Sequence, residues 1–189
     1  LSASNTPVSY NPLASIWKGN AVAPALAFQQ RGVKFGIGSD TTSADGFKNL
    51  SAAEACQRIT HCMPIDDFSA GAAWTWTSAA SNGSAVAAGI DGSVGSLLSG
   101  LQADFLLVDM LRPECMPSHD FEWEFVRYYN RDQIDAVVIS GEPVVFGGKA
   151  VNWDDESFIN QNIGTAYSVA SAPEIIRVHG PSSDHRPSV

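Results

Sequence analysis

Between Val33 and Asp40 the sequence reads Val-Lys-Phe-Gly-Ile-Gly-Ser-Asp, and this stretch restricts the fold more than any other. Val33, Phe35 and Ile37 alternate with Lys34, Gly36 and Gly38, the period of a strand with one bulky face and one nearly bare one. Glycines inside a strand mark a place where another group must approach the backbone closely. The run ends on Ser39-Asp40 and is followed by the polar segment Thr41-Thr42-Ser43-Ala44-Asp45, so an acid stands at the carboxyl end of an apolar strand. In parallel α/β folds chemistry gathers at that end, because rigid strands present side chains to the open loops beyond them. Taken alone, the stretch fits equally an aspartate that only caps the following helix.

The flanking segments separate the two readings. Upstream stand Asn11-Pro12-Leu13-Ala14-Ser15 and Lys18-Gly19-Asn20-Ala21-Val22-Ala23-Pro24, then Gly32-Val33; downstream, Gly95-Ser96-Leu97-Leu98-Ser99-Gly100 leads into Ala103-Asp104-Phe105-Leu106-Leu107-Val108-Asp109. In this order and spacing, roughly over residues 7–150, the chain resembles the amidohydrolase superfamily, in its cytosine-deaminase and chlorohydrolase branch. The resemblance implies an α/β fold: the last part of a (β/α)8 metal-dependent hydrolase barrel, followed by strands of a small C-terminal β-sandwich.

Composition agrees with a folded chain. Hydrophobic residues make up 44% and charged residues 16% of the 189, which is globular rather than disordered material. A formal charge of −9 without a basic block argues against nucleic acid or an anionic membrane surface as partner. No apolar run has the length of a membrane span and the start lacks a signal-peptide pattern. Cys56, Cys62 and Cys115 are odd in number with no Cys-x-x-Cys spacing, so neither a disulfide framework nor a structural zinc site is indicated, and a reducing cytoplasm is expected.

Local signals predict the elements. Pro7 to Tyr10 reads as the end of a strand and Asn11-Pro12 as a turn. A helix is expected around Ala21 to Arg31, closed by Gly32, and a second from Phe47 to Thr60, with Asp45 as cap. Phe68 to Gly89 reads as one or two helices with Trp74 and Trp76 in the core. Strands follow at Ala103 to Val108, Ala136 to Ile139 and Pro143 to Phe146, and a helix begins after Asn152. Pro181 to Pro187 reads as a surface tail. Laid on these elements, the resemblance implies barrel units over 1–65, a helical segment over 66–92, sandwich strands over 93–151 and a terminal helix and tail over 152–189.

By resemblance, Asp40 is the aspartate that ends the eighth barrel strand. There it binds a catalytic divalent metal, zinc or iron, and exchanges a proton with the attacking water. Asn11 and Ser15 match the segment after the seventh strand, with Tyr10 where histidine is frequent; Thr41 and Ser43 fall on a loop over the pocket, where helix capping is the other reading. The remaining ligands are absent: His61, His119, His179 and His185 form no His-x-His pair, whereas the resemblance calls for about five ligands. Glu122 and Glu124, two apart in an aromatic run, suit a solvated strand face better than a glycosidase pair. No nucleophile elbow, phosphate loop or cytidine-deaminase zinc motif is present.

The expected function is hydrolysis of a C–N bond of a nitrogen heterocycle, as in deamination of a purine, pyrimidine or triazine. The rest of the barrel would come from a missing N-terminal half in the same or another chain, within a homo-oligomer. The other class of reading is a non-catalytic interaction module derived from such an enzyme.

Overall fold

The computed structural model describes residues 1–19, 21–40 and 43–171. Thr41 and the expected tail over 181–187, with His179 and His185, lie outside the described residues. The chain divides into a unit over Leu1–Val151 and a second over Asn152–Val189.

The first unit opens with β1 (Val8–Tyr10), α1 (Pro12–Lys18), α2 (Ala25–Gln30) and β2 (Phe35–Ile37). β1 and β2 pair in parallel, with Val8 opposite Phe35, Ser9 opposite Gly36 and Tyr10 opposite Ile37. A parallel neighbour needs a crossover, and α1 and α2 supply it. α1 was not foreseen: Asn11-Pro12 reads as a turn, but proline is well suited to the first helical position, and the helix runs on until Gly19, whose φ of +62° ends it. α2 begins after Pro24, and Gly32 at φ +67° turns the chain back into β2.

α3 (Gly46–Gln57) is capped by Asp45, whose side chain accepts from the Lys48 amide, and it widens into a π-type turn over Arg58–Cys62. α4 (Ala73–Ser78) and α5 (Ser84–Ala88) are joined by a second such turn over Ala79–Gly83. The core forms where these helices meet the bulky side of the strands. Tyr10, Phe35, Trp76, Leu26, Leu50 and Ala53 are its centre, with the Tyr10 and Phe35 rings edge to face at 6.4 Å. Trp76 is fully buried and donates to the Gly71 carbonyl at 2.9 Å, whereas Trp74, expected in the core, is 64% exposed. The two indoles are two residues apart on a helix, so they cannot share its buried face.

The second half of this unit is an antiparallel sheet of β3 (Phe105–Val108), β4 (Ile134–Ile139), β5 (Glu142–Phe146) and β6 (Lys149–Ala150), in that order. The hairpin turns carry positive φ at Ser140 and Gly141, and at Gly147 and Gly148, the backbone that matches strand twist in two-residue loops. Between β3 and β4 the aromatic run read as a strand face is helical: Phe121–Arg127 forms α6, capped by Asp120. Glu122 and Glu124 therefore sit on a helix. Glu124 is buried rather than solvated, accepting from the His119 and Asp120 amides at 2.8 and 3.1 Å. The Ser118 side chain first, and then those two amides, hold its carboxyl below the usual range.

The second unit contains α7 (Asp155–Ser171), which has no buried residue. The Asp154 carboxylate accepts from the Glu156 and Ser157 amides at its start.

Candidate active site

The parallel pair delivers its polar groups to one end. Asp40 lies beyond the carboxyl end of β2 at φ +44°, a left-handed conformation that aspartate tolerates better than most residues. Its carboxylate is exposed and receives Lys18 Nζ at 2.6 Å. Lys18 ends α1, so the helix that crosses from β1 to β2 carries a cation to the acid at the end of β2.

Asn11, at the start of α1, makes no capping bond; its Oδ1 instead accepts from Ser9 Oγ at 3.0 Å. This pair lies over Gly38, where an added Cβ would stand 2.2 Å from Asn11 Oδ1 and 2.5 Å from Ser9 Oγ. Gly38 is bare because the Asn11 amide fills the space a side chain would need. Tyr10, between Ser9 and Asn11, points away from this end: its hydroxyl accepts from Gln57 Nε2 at 3.2 Å and donates to the Ala53 carbonyl at 3.4 Å. Burial drives its phenol far above the ordinary value. It cannot act at the strand ends.

Ser15 is half-buried on α1, and Ser43 lines a cleft of about 930 Å3 between the start of α3 and the antiparallel sheet, together with Phe47, Leu106, Phe125 and Arg131. Asp40 is not among the residues lining that cleft. The structure thus brings Asp40, Asn11, Ser9 and Lys18 to the ends of β1 and β2 and places Ser43 toward a different hollow. Ser9 and Lys18 escaped the sequence reading: Ser9 stands two residues before Asn11, on the same side of the strand, whereas Lys18 reaches Asp40 only through the crossing of α1.

Among the described residues no three His, Cys, Asp or Glu side chains lie together so that they could hold a metal ion. Asp40 offers one carboxylate, already engaged by Lys18, so the described residues do not fit a divalent metal by themselves.

No protein-family model matches the chain. It is 26% identical over 159 residues to a 5-methylthioadenosine/S-adenosylhomocysteine deaminase of Pelotomaculum thermopropionicum, covering 84% of this chain and 36% of that protein. Against a 5'-deoxyadenosine deaminase of Methanococcus maripaludis the identity is 27% over 153 residues, covering 80% and 35%. The chain therefore spans about a third of the length of the curated relatives it matches. Its fold matches an adenosine deaminase from Xanthomonas campestris with bound zinc, at a TM-score of 0.81 and 24% identity over 88% of this chain and 38% of that one. It also matches a zinc-complexed atrazine chlorohydrolase from Arthrobacter aurescens, at 0.75 and 19% over 86% and 36%. In sequence and in fold, this chain is similar to the carboxyl-terminal portion of amidohydrolase-superfamily enzymes.

Proposed function

We propose that this chain is the carboxyl-terminal part of a metal-dependent amidohydrolase that removes an amino group, or another leaving group, from a nitrogen heterocycle of the purine, pyrimidine or triazine kind. The observation that carries the reading is the parallel pair ending in Asp40, in a chain whose relatives are adenosine-type deaminases. In this reading β1 and β2 are the seventh and eighth strands of a (β/α)8 barrel. Residues 1–65 form barrel units, 66–92 a helical segment against them, 93–151 strands of an accessory β-sandwich, and 152–189 a terminal helix and tail. With Lys18 turned aside, Asp40 would be one carboxylate ligand of a zinc or iron centre, which would supply an activated water, and the same carboxylate would carry the water's proton to the departing nitrogen. Asn11 contacts the substrate, with Ser15, Thr41 and Ser43 shaping the surroundings. The remaining ligands come from an N-terminal half, in the same or another polypeptide, in a cytoplasmic homo-oligomer.

The experiment measures native and denatured mass, and metal, on one purified sample, followed by a deamination screen of heterocyclic amines. The expected result is a larger companion polypeptide, stoichiometric zinc or iron, and turnover that falls at least about a hundredfold in Asp40→Asn. A metal-free species of this chain that gains neither metal nor activity from an N-terminal complement would overturn it.

The Lys18–Asp40 contact favours a second reading, a non-catalytic assembly module of amidohydrolase descent, in which Asp40 is satisfied by an internal cation. Unchanged metal content and activity of an assembly carrying Asp40→Asn would select it.

A further inference from the structure

The two edges of β2 are occupied differently. On one side the backbone bonds to β1 are anchored by Val8 N–H to the Lys34 carbonyl at 3.0 Å and Gly38 N–H to the Tyr10 carbonyl at 2.9 Å. Along a strand, successive residues direct their backbone groups to opposite edges. The amides and carbonyls of Phe35 and Ile37 therefore face away from β1, where a further strand would pair. In this structure no strand is there among the described residues, and the turn from α4 to α5 fills the place instead. Ser84 Oγ accepts from the Ile37 amide at 3.1 Å and lies 3.3 Å from the Ile37 carbonyl; its single proton serves that oxygen or the Ala79 carbonyl at 2.9 Å.

Two glycines permit this approach. A Cβ on Gly36 would lie 2.5 Å from Ser84 Cα, and one on Gly83 would lie 2.5 Å from the Phe35 carbonyl oxygen. Both clashes are with backbone atoms, so neither can be relieved by a side-chain rotation. The hydroxyl is well matched to its target: it satisfies a donor and can satisfy an acceptor of one residue, as a neighbouring strand would.

We propose that Ser84 is a latch on the outer edge of β2. While it holds Ile37, the parallel pair is closed on that side by its own chain, and a parallel strand of a complementary polypeptide can join β2 only after the Ala79–Ala88 segment withdraws. The proposal rests on the preceding reading only in taking the neighbour that β2 awaits to be a strand. The unlatched edge would present a free backbone donor and acceptor, which is a template for pairing with any other strand.

Amide hydrogen exchange on the isotopically labelled chain tests the latch without metal, complement or substrate, so its failure is separable from failure of the enzymatic reading. Ile37 is expected to be protected in the parent chain, and Ser84→Ala to accelerate its exchange about tenfold with Gly38, held from the β1 side, unchanged. Exchange of Ile37 at the free-peptide rate in the parent, no acceleration in Ser84→Ala, or equal acceleration at Gly38 would each overturn the proposal. Sedimentation velocity supplies the second readout. Ser84→Ala is expected to self-associate at concentrations where the parent sediments as before, and identical profiles would refute the claim that the hydroxyl guards the edge.

Discussion

Tyr10, matched by resemblance alone to a position where histidine is frequent, points into the core and not toward the strand ends. Its ring packs on Phe35 and Trp76, and its hydroxyl links the end of β1 to α3 through Gln57. Tyr10→Phe leaves Gln57 Nε2 with its 2.8 Å bond to the Ala23 carbonyl, so the expected loss is about 1 kcal/mol in denaturant unfolding. The same burial sets an alkaline limit. Tyr129, desolvated beside Cys115, is pushed up to about 12, and Tyr10, Cys56 and Cys62 are also raised, chiefly by burial. A folded-state value above the unfolded one means that the protein binds the neutral form more tightly. That stability is complete below the unfolded values of 9.0 for the thiols and 10.0 for the phenols, and drains away as pH rises through the folded ones. Thermal melts should therefore hold up to about pH 9 and fall steeply from there to about 12; a flat profile across that window would contradict the burial. At the exposed Lys18–Asp40 pair, by contrast, Asp40→Asn should change stability by less than about 1 kcal/mol.

At the scale of elements, α3 and α6 are joined by a charged clamp. Glu54 on α3 is buried and receives Arg58 Nε at 2.8 Å and, from α6, the Arg127 guanidinium, which also lies over the Trp123 ring at 4.3 Å. Arg127→Met removes the charge-assisted bond between the helices and leaves Glu54 to Arg58 alone, an expected cost of about 2–3 kcal/mol by urea unfolding. No cost would mean that α6 is held by its apolar packing, Phe125 against Phe47 and Val126 in the core, without the ion pair. β2 was legible because its alternation is local: the two-residue period, the bare face and the terminal acid can all be read without knowing the partner. α3 was legible for the same reason, through the Asp45 cap and apolar residues at helical spacing. α1 and α6 were not. Pro12 allows a turn or a first helical residue, and only the buried Leu13 and Ala14 decide between them. In α6, aromatic residues from Phe121 to Tyr129 carry strand propensity, and the contacts of Phe125 with Phe47 and Tyr129 override it. The Asp40 end could be named from sequence, but its Lys18 partner depends on how α1 crosses between the strands, which no local signal contains.

At the scale of the whole molecule, several large apolar side chains among the described residues stand open to solvent. Leu97, Leu98, Leu111 and Phe146 are each at least two-thirds exposed in the first unit, and among the described residues no helix is long and apolar enough to cross a membrane. Where such side chains lie together they suit contact with other protein surface, and this chain matches about a third of its relatives' length. A complementary polypeptide that covers them should raise the melting temperature with the logarithm of its concentration relative to the dissociation constant, which differential scanning calorimetry reads directly; an unchanged melt in saturating complement would argue that these side chains are not its seat. The Lys18–Asp40 contact has a consequence at this scale. An ammonium on a side chain travels with the polypeptide, whereas a dissolved ion comes and goes with its supply. Scavenging of free ions by a chelator should thus leave the melt of the isolated chain unmoved, since the charge at the end of β2 is balanced by a group the chain carries wherever it is made.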